Sequence, residues 1–248
     1  LLMENVDFQA GKQPGYYTVE ACLYDTGGKI TASGSDEFFT VALSSGKIST
    51  HGAIVDSTGS VNRMLRKSWG IHLPDFKGNV HDLDYIIVGK GAYVFEELMN
   101  SVATGTTAIV IDGTDSFAER LSDGTFEAVD YRGIYTMKKS AFGGNFIAGR
   151  NGLLEGLPQG TAFNWEYQVF YRYSGQDLYA LRLYGVKPVI AAVSDHKKEV
   201  GTAVCVIPFG RGRIILSTLP LIPHGLSDAP QSVAAKRLLQ NFLESASK

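Results

Sequence analysis

The chain has 248 residues, 44% of them hydrophobic, with 23 basic and 25 acidic side chains. A composition this apolar excludes intrinsic disorder and collagen-like repeats, and at this length folding removes roughly 70–75% of the unfolded surface from water, enough for one or two cores. The formal net charge of −2 supplies no cationic field for a phosphate backbone, and the apolar runs at 203–208 and 214–216 fall far short of the ~20 residues that cross a bilayer, so neither nucleic acid nor a membrane is an expected partner.

Cys22 and Cys205 lie in separate β-like runs and define neither a disulfide framework nor a metal site; two small buried side chains are expected. Leu1-Leu2-Met3-Glu4 has neither the basic nor the apolar region of an export signal, and the chain opens partway into a β pattern, which suggests a piece of a longer protein. Residues 1–44 read as β only. Positions 17–24 alternate, Asp25-Thr26-Gly27-Gly28 turns, and 29–41 return through Phe38, Phe39 and Val41. So few strands cannot bury both faces of a sheet, so partner strands are expected upstream or against the rest of the chain. Ser44-Ser45-Gly46-Lys47 reads as a linker.

From Ile48 the pattern changes to alternating strands and helices. Ala53-Ile54-Val55-Asp56, Asp84-Tyr85-Ile86-Ile87-Val88-Gly89 and Ala108-Ile109-Val110-Ile111-Asp112 are buried strands; Val61, Met64, Leu65 and Trp69, then Val94, Phe95, Leu98, Met99 and Val102, make helical stripes. Strands apolar on both faces and separated by helices predict an α/β fold, a mostly parallel sheet with helices on both sides. The stretch 113–185 is less regular. Within it Phe163, Trp165, Tyr167, Val169, Tyr171 and Tyr173 share odd positions, which in a strand would line one face, with Glu166, Gln168 and Arg172 on the other. Residues 188–193, 203–208 and 213–219 read as hairpin-connected antiparallel strands. Asp228-Ala229-Pro230-Gln231 fits a capping box opening a last helix with Ala235, Leu238, Leu239, Phe242 and Leu243 on its buried stripe.

In an open α/β sheet ligands bind beyond the carboxyl ends of the strands. The candidate crevice is therefore Asp56, Ser57, Thr58, Gly59 and Ser60 with Lys90 of the next loop. Its hydroxyls and amides partly match a flavodoxin phosphate loop, with Thr58 and Gly59 in register, but Asp56 would repel a phosphate; the competing reading is an ordinary helix N-terminus. Asp112, Gly113, Thr114 and Asp115 occupy the place of a nucleophile elbow. No cysteine lies between Cys22 and Cys205, and Thr114 has no Gly-x-Ser-x-Gly context, so the two aspartates read as turn and capping residues. The five histidines lack metal-ligand spacing and read as surface or loop residues, and carboxylate pairs such as Asp82/Asp84 and Glu96/Glu97 read as solvated. Neither a metal nor any other cofactor is expected. Trp165, Tyr167 and Tyr171 are candidates for a sugar platform or a protein interface, against core packing. Phe209-Gly210-Arg211-Gly212-Arg213 is a basic hairpin tip that would either grip an anion or form a solvated turn.

The β-rich start, the run at 84–89, Gly156-Leu157-Pro158 and the run from Phe209 through Leu219, taken in order, resemble the class I glutamine-amidotransferase-like domain near the C-terminus of some bacterial family-two glycoside hydrolases, the β-galactosidase group, preceded there by an immunoglobulin-like sandwich. The resemblance covers about 48–245 for a flavodoxin-like α/β domain and 1–44 for a sandwich remnant. It implies a degenerate amidotransferase fold, comparable to the trimerisation domain of another β-galactosidase family, that packs against an upstream catalytic portion or a second subunit. It carries no catalytic residue onto this chain, and it implies a periplasmic or secreted location if the parent is exported. The alternatives are a carbohydrate-binding module using the aromatics near 163–173 and a flavodoxin-like flavin binder.

Overall fold

The computed structural model describes residues 11, 13–78, 82–91, 94–137, 146–171, 178–194 and 199–247. The first element is a hairpin, β1 (Gly15–Tyr24) antiparallel to β2 (Ile30–Thr40), closed by Asp25, whose carboxylate accepts from the amides of Gly27 and Lys29. It forms a two-stranded sheet of its own. Its distal half is exposed, including Leu23, Tyr24, Ile30 and the thiol of Cys22. Cys22 therefore departs from the buried site expected for it, whereas Cys205 is buried. The segment read as a linker is pinned: Ser44 and Gln240 exchange two hydrogen bonds, amide to Oε1 at 3.0 Å and Nε2 to carbonyl at 2.9 Å.

The remainder is a mixed α/β unit. Its parallel part runs β3 (Gly52–Val55), β4 (Tyr85–Val88), β5 (Thr107–Val110) and β12 (Gly212–Ser217), with residues such as Ile54, Ile87 and Ile109 in one register. Beyond β12 the sheet continues antiparallel through β11 (Glu199–Phe209), β10 (Pro188–Ser194), β7 (Phe146–Ala148) and β8 (Thr161–Ala162). The three-strand C-terminal meander is as expected. A ribbon in the irregular middle stretch, β6 (Asp130–Met137) with β9 (Leu178–Tyr184), joins β11 where Leu181 pairs Thr202. Since β12 leaves that edge of β11 at Val204, β9 occupies the space beyond the carboxyl end of β12.

Every residue of β3, β4 and β5 is buried, because helices cover both faces. On one face Ile54, Tyr85, Ile87, Ile109 and Ile215 pack against α1 (Ser60–Trp69) and α6 (Val233–Ala246). On the other, Ile86, Val88, Val110 and Leu216 meet α2 (Phe95–Ala103) and α3 (Thr114–Ser122). Each such fully buried aliphatic side chain is worth roughly 1.5–3 kcal/mol. Helix α1 stops where Gly70 turns left-handed and donates to the Arg66 carbonyl.

Three local expectations fail for identifiable reasons. Residues 163–171 are not a strand: a 3-10 turn at Trp165–Tyr167 runs into α4 (Gln168–Tyr171), so Phe163, Tyr167, Val169 and Phe170 all reach the core while Trp165 faces out. Tyr173 and Arg172 lie outside the described residues. Asp228 does not cap α6, which follows a 3-10 turn at Pro230–Ser232; its carboxylate pairs instead with Lys67, 2.7 Å away. His224, in α5 (Leu221–Gly225), is buried rather than a surface residue.

Candidate functional site

The carboxyl ends of β4, β5 and β12 deliver Lys90, Asp112 and Ser217–Leu219 to one cleft of about 300 Å³, which Tyr179 of β9 and Pro220 also line. That volume is at the lower limit of ordinary ligand pockets. The strand-end rule thus brings two of the predicted loops together, through Lys90 and Asp112. Residues 92 and 93 of the Lys90 loop lie outside the described residues.

The loop after β3 faces inward on itself. The Asp56 carboxylate accepts from the Thr58 hydroxyl at 2.6 Å, from the amides of Thr58 at 3.0 Å and Val61 at 2.8 Å, and from the Ser60 hydroxyl at 3.3 Å. Partial burial works to raise its pKa, but these donors outweigh burial and hold the group below the usual carboxylate range. A carboxylate that stays ionised to lower pH than usual therefore sits at the N-terminus of α1, on the donors that a flavin phosphate would need. Ser57 donates from both its amide and its hydroxyl to the Lys90 carbonyl, at 2.9 and 3.0 Å, which ties the two loops together.

The elbow position is also closed. Gly113 takes the left-handed conformation (φ 61°, ψ 27°) between strand and helix, so the sharp turn falls on a residue without a side chain. Asp112 accepts from the Gly113 amide at 2.8 Å, in the turn role expected of it; Asp115 lies in the first turn of α3, where its charge complements the helix dipole, but no side chain caps that helix. Thr114 is fully buried, and its hydroxyl donates to the Ser217 carbonyl at 2.9 Å. Tyr179 has its pKa pushed up to about 12 by burial first and then by the Asp115 charge. Thr218 fastens β9 in place by donating to the Tyr179 carbonyl at 2.9 Å. Sequence reasoning singled out neither Tyr179 nor the Ser217–Pro220 stretch as part of this crest. The Tyr179 signal is weak, because β9 reads Leu-Tyr-Ala-Leu-Arg-Leu-Tyr with apolar groups on both parities.

The predicted aromatics separate. Tyr167 is buried, stacked on Phe163 with centroids 4.1 Å apart, and its hydroxyl donates to the Pro158 carbonyl at 2.5 Å. Tyr171 is half-buried and bonds the Asn164 carbonyl at 3.3 Å. Trp165 is 64% exposed, so the three rings do not make one platform. The basic hairpin tip is docked: Gly210, at φ 58°, lies so close to Ala103 that a Cβ would meet backbone at 2.6 Å, the Arg211 amide donates to the Ala103 carbonyl at 2.9 Å, and the Arg213 guanidinium donates to the Ser245 carbonyl. Arg213 thereby satisfies a carbonyl in the last turn of α6, where the helix dipole is negative. Among the described residues no cluster of three or more His, Cys, Asp or Glu is arranged to hold a metal ion. No described helix is long and apolar enough to cross a membrane.

No protein-family model matches the chain, and no curated protein does. Among solved structures it is similar to a β-galactosidase from Rahnella sp. R3, at 15% identity and a TM-score of 0.46 over 80% of this chain and 31% of that one. It is also similar to a cytoplasmic protein from Salmonella typhimurium LT2, at 11% identity and a TM-score of 0.42 over 94% of this chain and 97% of that one. The chain spans about a third of the length of the β-galactosidase. Likenesses this distant assign neither a family nor a function.

Proposed function

We propose that this chain is a non-catalytic accessory region of a carbohydrate-degrading glycoside hydrolase of the β-galactosidase-like group. In this reading 48–248 is an amidotransferase-like domain that has lost its chemistry, 1–44 is the remnant of an immunoglobulin-like sandwich, and the unit packs against catalytic domains upstream or a second subunit. Its compartment follows the parent's, periplasmic or outside the cell if the parent is exported.

The observation that carries the reading is the state of Thr114. A nucleophile needs an accessible lone pair and a base within reach. Here the hydroxyl is buried, donates to a main-chain carbonyl and lies against Tyr179 of β9, while Gly113 takes the turn itself. The ordered run of sequence motifs supplies the family. The flavin alternative is disfavoured by Asp56, which holds the donors a phosphate would use. The glycan-platform alternative loses Tyr167 to the core.

The test is turnover by the purified chain. Nitrophenyl galactosides and mannosides, and glutamine as an amidotransferase substrate, are expected to remain unconverted. Turnover that disappears on substituting Asp112 or Asp115 overturns the reading.

A further inference from the structure

The segment that joins the hairpin to the α/β unit, residues 41–49, lies along α6 and is fastened unequally over its length. Its root belongs to the sheet. Ile48 is buried in one core with Leu243 and Ala246 of α6, the Ser49 hydroxyl donates to the Asp84 carboxylate at 2.5 Å, and the Ser49 carbonyl accepts from the Tyr85 hydroxyl. In the middle the hold depends on one side chain. Gln240, only 2% exposed, accepts from the Ser44 amide, donates to the Ser44 carbonyl and, at 3.0 Å, donates to the Glu244 carboxylate. Gly46 lies against the same group: a Cβ there would meet Cδ of Glu244 and Oγ of Ser44, each at 3.0 Å. Beyond this clasp stands the hairpin, which meets the unit at the 3-10 turn Trp165–Tyr167 across a cleft of about 390 Å³, where Asp36, Glu37 and Glu166 gather around Trp165.

Part of a protein opens by itself when the contacts that hold it are few and exposed compared with those of the core. The hairpin and the strap that carries it fit that description. The distal half of the hairpin is exposed, Val41 is only partly buried, and Ser44-Ser45-Gly46-Lys47 brings no large apolar side chain to α6. Strands β3, β4 and β5 are buried from end to end. A carboxamide has an acceptor and donors in one plane, so the Gln240 fork holds the amide and the carbonyl of Ser44 as a neighbouring strand would, and no other side chain does this for the strap among the described residues. We infer that residues 41–46 form a releasable strap, clasped to α6 through Gln240 and hinged at Ile48 and Ser49, which holds β1 and β2 against the α/β unit and frees them together while the sheet stays folded. A two-stranded hairpin has little stability of its own in water, so its ladder frays once the strap lets go. The inference concerns how the hairpin is attached and stands apart from the accessory reading.

The experiment is native-state hydrogen exchange on the full chain, read segment by segment by mass spectrometry. Amides of the hairpin and of residues 41–46 are expected to be protected, to exchange together, and to do so at least about tenfold faster than those of β4 and β5. Gln240→Leu keeps an apolar bulk at the position and removes all three hydrogen bonds; it is expected to speed exchange in the hairpin and strap roughly three- to tenfold and to leave β4 and β5 within about twofold. Gly46→Ala, which pushes on the Glu244 carboxylate from the strap side, is expected to act in the same direction by less. It decides the matter alone if Gln240→Leu does not fold. Equal exchange in the hairpin and in β4 and β5 of the unaltered chain would mean that only global unfolding frees the hairpin, and overturns the inference. Exchange of the hairpin at the rate of an unprotected chain, which would mean that nothing holds it, also overturns it. So does a folded variant that speeds the hairpin and the sheet alike, or speeds neither.

Discussion

At the strand ends the polar groups answer one another, whereas beside the hairpin they face outward. Asp56 is held by Thr58, Ser60 and Val61, Thr114 by Ser217, and the main chain of Tyr179 by Thr218. The carboxylates around Trp165 have no described counter-ion. A buried polar group that has its partners is costly to disturb, while an exposed one contributes little to stability and remains available for binding. The contrast is between a crest whose polar groups are satisfied within the fold and a flank whose carboxylates pair with no described cation.

The sharpest way to break that contrast uses two aromatics two residues apart. Tyr167→Ala removes a buried ring stacked on Phe163 and an internal hydrogen bond to Pro158, and is expected to cost about 3–5 kcal/mol. Trp165→Ala, on the exposed side of the same turn, is expected to change stability by less than about 0.5 kcal/mol. Urea denaturation of both variants checks the pair. Comparable losses would mean that Trp165 is part of the core and would remove the flank from consideration as a surface.

Next in size is the elbow itself. Thr114→Val keeps the shape of the side chain but leaves the buried Ser217 carbonyl without its donor, for a loss of roughly 1–3 kcal/mol. A neutral or stabilising result, again by denaturant titration, would show that the hydroxyl is not structurally committed and would reopen the crest to chemistry.

The same contrast explains what could be read from the residues. Strands β3, β4 and β5 were legible because burial on both faces demands unbroken apolar runs, and α1 and α2 because a single covered face demands helical spacing. The aromatic segment misled because odd-position spacing over 163–171 fits a strand, yet a 3-10 turn followed by one helical turn also buries Phe163, Tyr167, Val169 and the even-numbered Phe170. Asp228 has the residue pattern of a cap, but its nearest cation is Lys67, 161 positions away in the chain. That pairing exists only once α1 and α5 have met. The crest was half legible for the same reason: the loops that form it follow readable strands, but Tyr179, which closes it, arrives on a ribbon whose register depends on β11.

The smallest effect expected is a pH dependence beside that crest, and its sign follows from His224. Its ring is buried against Phe170, and Nε2 has no hydrogen-bond partner among the described residues. Burial lowers the pKa of the imidazole, and the nearby Val169 main chain only partly opposes it. A group whose pKa is depressed on folding contributes stability that is complete above its unfolded value, about 6.5, and is lost as pH falls toward the folded one. Thermal unfolding should therefore be flat from neutral pH to about pH 9, above which burial of Cys205 and Tyr179 opposes their ionisation, and should decline on acidification through the slightly acidic range. Asp56, also depressed, adds its own loss as pH falls through the ordinary carboxylate range toward its lower folded value. His224→Phe, which keeps a ring against Phe170 but cannot charge, should flatten the first decline and leave the second. An identical pH profile in that variant would mean that His224 stays accessible to protons without cost, and that the packing of α5 beside the crest is looser than the closed arrangement around Thr114 requires.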